Sequence, residues 1–395
     1  MADPAKRLTP DDITSARDAL RRCAASNDIA ACLVGFDGFV DSIIDAVDSR
    51  QAPGPDGYTR MTSATQFAQR AEAAAGRSAN IEFVVKQTRI GGAGPILAGA
   101  LAQLGGAVHA IAALDHPIFD PLRNACASCV SLGEPGATDA IEFDDGKLML
   151  GKAAPMDRIT WDHIITQSGS LEALINRCNQ STIIAPCGWT MIPAMNDIWA
   201  NLASNILPRL NDPREKIFFV DFSDPAKRPD ADLRAGLILL RQINTITPVT
   251  LGLNLAEAQR IAGLLPAPPH SSPNASPNDS PNDSTPPDAV SALADSIHRK
   301  TGLCRIAVHS HFGAAIADDN GLISSPTAHT PTPLTSTGAG DHFNAGLCFA
   351  LSRHLDATAA LSAAIAVSGL FVRTGQHPSV SDVIGFLDNI PASGA

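Results

Sequence analysis

Residues 333–351 read PLTSTGAGDHFNAGLCFAL, a turn rich in Ser, Thr and Gly that runs straight into a helix. Gly338 and Gly340 reach backbone conformations closed to other residues. The amides of Gly338, Ala339 and Gly340 can then converge on one concavity. It lies at the N-terminus of a helix starting near Asp341, where unpaired N–H groups and the positive end of the helix dipole favour an anion. Asp341 stands at its edge, and an acid placed where an anion binds marks a functional group. The alternative is an ordinary helix opening with Asp as N-cap or first-turn residue. Phe343, Leu347, Ala350 and Leu351 recur at helical spacing and predict a buried face, and Gly346 predicts close packing on a neighbour. The convergent amides further predict that Asp341 keeps a low pKa.

The flanking chain alternates strands and helices. Thr9 and Pro10 open a helix to about residue 25, with Thr as N-cap. The apolar run 29–36, IAACLVGF, predicts a buried strand. Asp37 and Asp41 follow it closely, and ligands of open parallel sheets bind at the carboxyl ends of strands. A pair of turn acids is the competing reading. Residues 61–75 predict a helix and 80–89 a strand; Gly91 and Gly92 then precede a helix from about Pro95 and a strand at 108–114. That plan is a right-handed parallel crossover. A dinucleotide site is disfavoured there, because GGAGP lacks G-x-G-x-x-G and Pro removes a needed amide. Residues 140–150 predict a hairpin, and 181–187, 217–222, 243–252 and 304–308 further strands. Asn254 and Glu257 form an N-x-x-E capping pattern. His309 and His311 read as a loop, and 359–371 as an apolar helix. The expected fold is a doubly wound α/β domain with a mostly parallel central sheet, spanning residues 1–395, and a small β-rich lid from residues near 41–60, 80–90 and 140–150.

The 395 residues are 45% hydrophobic, enough for one large α/β domain, and carry a formal net charge of −11, against a nucleic-acid binder or a membrane-surface protein. Eight cysteines in apolar contexts, with one lone C-x-x-C at Cys126 and Cys129, read as free thiols of a reducing cytoplasm rather than a zinc site. The charged N-terminus is no signal peptide, and no later segment reads as long enough to span a membrane. Residues 266–287, rich in Pro, Ser and Asn, predict a disordered low-complexity insertion.

TSTGAGDHFNAGL resembles the C-terminal signature of the ribokinase-like (PfkB-type) carbohydrate kinases, D-T-T-G-A-G-D-x-F-x-A-G. The resemblance spans roughly residues 29–388, with one specific motif and partial ones at Gly91-Gly92, at Asn254…Glu257 and at Gly313. It implies ATP-dependent phosphorylation of a hydroxyl on a sugar or sugar-like alcohol. Asp341 would be the general base, with the Gly338, Ala339 and Gly340 amides as anion hole. Asp41, with Asp37 as its rival, and Gly91 and Gly92 would hold the acceptor. Asn254, Glu257, Gly313 and Asn344 fall on the nucleotide side, with Glu257 reaching Mg²⁺ through water. Residues 374–379 resemble the family's loop near the adenine. Lid-mediated dimers occur in the family, so a homodimer through the lid is an expectation. Two positions depart from the pattern. Thr335 replaces an Asp linked in some members to a monovalent cation, which puts a potassium site in doubt. Ile96 replaces a substrate-contacting Asn, which leaves the sugar open. A nucleoside kinase of this fold and a silent sugar-binding regulator are the alternatives.

Overall fold

The strand expected at 29–36 lies near the middle of the main sheet, and the functional groups are arranged around its carboxyl end. The computed structural model describes residues 5–26, 30–266 and 287–389, so the segment 267–286 lies outside the described residues. The first half runs β1 (Lys6–Arg7), α1 (Pro10–Ala25), β2 (Ala31–Phe36), β3 (Phe39–Arg50), β4 (Tyr58–Arg60), α2 (Ala64–Glu72), β5 (Phe83–Gly91), α3 (Ala93–Gln103), β6 (Ala107–Ala112), α4 (Asp120–Ala125), β7 (Ser128–Ser131), β8 (Gly136–Phe143) and β9 (Gly146–Lys152). The second runs α5 (Trp161–Gln167), α6 (Leu171–Gln180), β10 (Ile183–Pro186), α7 (Met195–Asn201), β11 (Ile217–Asp221), α8 (Asp230–Asn244), β12 (Val249–Asn254), α9 (Leu255–Leu264) and α10 (Pro287–Thr301). It closes with β13 (Arg305–His309), β14 (Gly313–Asp318), β15 (Gly321–Pro326), α11 (Ala339–Ser352), α12 (Ala357–Thr374) and α13 (Val380–Leu387).

Ten strands form one sheet in the order β1-β15-β14-β13-β12-β11-β10-β2-β6-β7. It is parallel apart from β14, which is antiparallel to both neighbours. Side chains alternate across it, so neighbouring residues enter different cores. Leu33 and Phe218 face a core built with α7 to α10, whereas Cys32, Val34 and Phe219 face one built with α3, α11 and α12. Each fully buried Leu or Phe stabilises the fold by roughly 1.5–3 kcal/mol. The chain proceeds from β2 outward to β6 and β7, then returns to β10 on the other flank. The crevice beyond β2 and β10 is therefore a topological switch point, the usual ligand position in such sheets.

α11 lies on one face of the sheet. A Cβ at Gly346 would stand 2.6 Å from the Ala363 carbonyl oxygen of α12, so glycine permits this close approach. α12 corrects the reading that no segment could span a membrane. It extends past 359–371 at both ends and reaches 18 residues of mean hydropathy 1.5, long and apolar enough by composition. Sixty-one per cent of it is buried inside the fold, which accounts for its apolar character.

A five-stranded second sheet, β4-β3-β8-β9 with β5 also on β3, forms the expected lid. The inserted helix α2 covers one face: Phe67 packs 5.9 Å from Phe143 between ring centroids, above Ala46, Met61 and Ile141. The hairpin turn at Asp144 and Asp145 is tied to this helix, because Asp145 accepts from the Ala64 amide at 2.9 Å.

Candidate active site

Successive parallel strands end in polar residues at one edge of the sheet. Asp37 follows β2, Asp221 ends β11, Asn254 ends β12 and His309 ends β13. The first turn of α11 brings Asp341 to the same place.

Asp37 is buried and its carboxylate caps α3, accepting from the Ala93 amide at 3.0 Å and the Gly94 amide at 2.8 Å. It lines neither of the two cavities described below. Its carboxylate holds a helix N-terminus, and Asp341 likewise lines neither cavity. Burial pushes the Asp37 pKa up to about 6 against those hydrogen bonds. Gly92, with φ of 90°, caps the same helix and carries no side chain to obstruct Asp37.

Asp41 sits on β3 and does line a cavity. A Cβ at Gly91 would fall 2.5 Å from its carboxylate, so only glycine leaves the carboxylate its place. Burial raises the Asp41 pKa, opposed by a hydrogen bond from Thr138 and by the charges of Arg89 and Lys147.

Asp221 accepts from the Ser223 amide at 2.6 Å and from Asn344 Nδ2 at 2.5 Å. Asn344 Oδ1 is buried with no partner. Ser223 and Asp224 hold φ of 54° and 65°, the left-handed region that non-glycine residues rarely adopt. That turn aims the Asp224 amide at Glu257 Oε1, 2.8 Å away. Glu257 Oε2 accepts from the Asn254 amide at 2.9 Å, and Asn254 Oδ1 accepts from the Glu257 amide at 3.0 Å, the expected capping box. Burial, then the charge of Asp221, pushes Glu257 up to about 8.

Asp341 overturns the expectation of a low pKa. Burial raises it well above the usual carboxylate range, and the charges of Asp221, Asp37, Glu257 and Asp41 raise it further. No lysine or arginine among the described residues forms an ion pair with Asp37, Asp221, Glu257 or Asp341. The uncompensated carboxylates and the orphaned Asn344 oxygen fit a bound divalent cation. Among the described residues no three His, Cys, Asp or Glu side chains close into a metal-holding group.

Gly338 is the N-cap of α11 with φ of 92°. The three-amide concavity is modified in one respect: the Ala339 amide donates to the Ser336 carbonyl at 3.2 Å. The turn divides two cavities. One, of about 580 Å³, is lined by Asn254, Leu255, His309, Ser310, Ala339 and Gly340. The other, of about 690 Å³, is lined by Asp41, Arg89, Lys147, Thr335, Gly338 and His377 among others. Pro333 and Ser336 border both. Gly313 lies in neither; it begins β14 buried, its amide donating to Ser310 Oγ at 3.1 Å, and Ser310 and His311 reach the cavity in its place. Thr374 to His377 border the cavity of Asp41, not that of Asn254. His309 ends β13 rather than lying in a loop and is half-buried, 4.6 Å from Phe343 between ring centroids, and desolvation pulls its pKa down to about 4.

Sequence reasoning missed Arg89 and Lys147, two lid cations aimed at the second cavity. Lys147 of β9 donates to Thr337 Oγ1 in the turn before α11, joining lid and turn. The available signal was Arg89 two residues before Gly91.

A profile of the prokaryotic ketohexokinase family matches residues 9–390. A ketohexokinase from Haloferax volcanii is 29% identical over 395 residues, covering 98% of this chain and all of the relative. Among solved structures, a carbohydrate kinase from Agrobacterium tumefaciens superposes with a TM-score of 0.60 at 18% identity, covering 92% of this chain and 98% of that one. Ribokinase from Thermotoga maritima gives 0.54 at 15% identity, covering 92% and 100%. At these identities the structures establish the ribokinase-like fold.

Proposed function

Because the chain belongs to the prokaryotic ketohexokinase family and is an ATP-dependent carbohydrate kinase, we propose that it phosphorylates a hydroxyl of a ketohexose, with Asp341 as general base. The observation that carries this reading is the position of the 333–340 turn between two cavities, with Asp341 in the helix turn that follows. ATP occupies the cavity of Asn254 and Ser310; the ketohexose occupies that of Asp41, Arg89 and Lys147.

The acceptor oxygen attacks the γ-phosphorus, the bond to the ADP oxygen breaks, and ADP leaves with its electron pair. Asp341 takes the hydroxyl proton as that bond forms. A raised pKa suits the task, since a half-buried carboxylate shed of water and with no cationic partner is a stronger base than an exposed one. The Gly338 and Gly340 amides hold the transferred group, joined by that of Ala339 when the Ser336 carbonyl turns away from it. Asp41 orients acceptor hydroxyls, and Lys147 brings lid charge to the turn. Glu257 and Asp221 would hold Mg²⁺ through water, and the ion would supply neutralisation of phosphate charge. The chain works as one kinase domain whose lid also offers a dimer surface, since Phe83, Val85, Met149 and Leu150 of β5 and β9 are exposed.

The test is ADP release with ATP, Mg²⁺ and a panel of ketohexoses, aldoses, pentoses and nucleosides. Highest kcat/KM for a ketohexose is expected. A nucleoside preference overturns the acceptor, and no turnover with any member overturns the kinase chemistry.

A further inference from the structure

The residue after Asp341 points away from the phosphate side into a second network. His342 is fully buried, its ring stacked on Phe371 at 3.5 Å between centroids and 11° between planes. Its Nδ1 lies 2.7 Å from the Gly338 carbonyl oxygen and its Nε2 lies 2.8 Å from Nδ1 of His377. A carbonyl oxygen only accepts, so His342 Nδ1 carries the proton. Burial pulls the His342 pKa down to about 3, so the ring is neutral and its Nε2 accepts. His377 must therefore donate through Nδ1. The pair has one polarity, running from His377 through His342 to Gly338. His377 itself fits because residue 99 is glycine: a Cβ there would stand 2.9 Å from His377 Nε2.

The Gly338 carbonyl also accepts from the His342 amide at 3.0 Å. Two donors on one oxygen fix the plane of the Gly338–Ala339 peptide. In a trans peptide the N–H points opposite to the C=O, so holding that oxygen aims the Ala339 N–H toward Ser336 and the boundary between the cavities. Gly338 cannot supply this rigidity, because a glycine at φ of 92° is the freest link in the turn.

We propose that His342 and His377 are positioning residues for phosphoryl transfer, a polarised imidazole pair that fixes the Gly338–Ala339 peptide so that the Ala339 amide meets the transferred group. The inference rests on the anion-hole reading given above. It adds that the acceptor-side wall, which both histidines line, sets the aim of the phosphate-side amide.

The experiment compares His342→Phe with His342→Asn. Phe keeps ring volume and the stack on Phe371 but has no donor. Asn places an N–H near the position of Nδ1 but leaves a void. The proposal expects His342→Phe to lose kcat by about ten- to a hundredfold, short of the ~10²–10³ for outright loss of one oxyanion donor, with KM values within a few-fold. It expects His342→Asn to recover most of kcat while melting lower than His342→Phe. A purely packing role predicts the reverse order of activity. Wild-type kcat in the Phe variant, or activity that follows melting temperature, overturns the proposal. If neither variant folds, ¹⁵N shifts of the wild-type imidazoles decide: protonated Nδ1 on both rings is required, and a His342 proton on Nε2 overturns it. Asp341→Asn, assayed alongside, separates the two ideas. An inactive Asp341→Asn with an unaffected His342→Phe sinks the pair alone, whereas an active Asp341→Asn sinks the reading beneath it.

Discussion

Asp341→Asn moves activity and stability in opposite directions. Asn caps a helix as well as Asp, so α11 keeps its start. Loss of a general base costs about 10²–10⁴ in turnover, equivalent to ~3–5 kcal/mol of barrier. Stability changes because Asp341 shares a buried region with Asp37, Asp221 and Glu257. A carboxyl whose folded pKa is raised contributes stability that is complete below its unfolded value and is lost as pH rises through the folded value. Asp37, in the same surroundings, is raised from 3.8 to about 6 by burial. Removing the Asp341 charge abolishes its own loss and relieves its neighbours. The ligand-free variant should therefore melt a few degrees above wild type at pH 8, at about 1–2 °C per kcal/mol in a chain this long. The two should converge near pH 4. Mg²⁺ with ATP should narrow the gap at pH 8 by stabilising wild type more. Steady-state ADP release and thermal unfolding from pH 4 to 8 make the measurement. Turnover above a tenth of wild type, or a variant less stable than wild type at pH 8, would refute the argument.

Asp41→Ala should raise KM for the sugar more than tenfold, because truncating a charged hydrogen bond costs roughly 1.5–3 kcal/mol, while KM for ATP stays within twofold; initial-rate kinetics in both substrates read this. Lys147→Met should lower kcat/KM for the sugar about tenfold without changing the melting temperature, since its contact with Thr337 is exposed and lies outside the core. Wild-type kcat/KM should keep an acid limb above the ordinary carboxylate range, falling as pH drops through the raised pKa of Asp341; a limb near pH 4 contradicts that. Light scattering should give a dimer, and Val85→Lys with Met149→Lys should yield monomers.

Local signals foretold the elements. The Gly-rich turn before α11, the Thr9 cap of α1 and the apolar run of β2 are each decided within a few residues. The helix inserted in the lid was legible as well. What escaped was set by approach of distant segments. The pKa of Asp341 was misjudged because its amides are sequence neighbours, whereas three of the acids that oppose it come from the ends of β2, β11 and the first turn of α9. That α3 offers its amides to Asp37, while Asp41 lines a cavity, follows from the crossover after β5 and not from any local pattern. Gly313 matched a motif, whereas Ser310 and His311 are the residues that line the cavity. The use of the Ala339 amide depends on how the 336–338 turn closes, which no residue type dictates.

The placement of α11 has a consequence for synthesis of the protein. Four strands of the sheet edge that holds the acids, β2, β11, β12 and β13, are translated before the helix that carries the base. A chain still on the ribosome thus lacks both the proposed proton acceptor and the wall that α11 and α12 give the nucleotide-side cavity, with Ala339, Gly340, Phe343 and Val372 among its residues. Catalytic competence arrives only with the last helices, when α11 seats against α3 from the beginning of the chain and against α12 from its end. First appearance of enzyme activity is then a timer for completed folding, and C-terminally truncated chains are silent rather than wasteful of ATP.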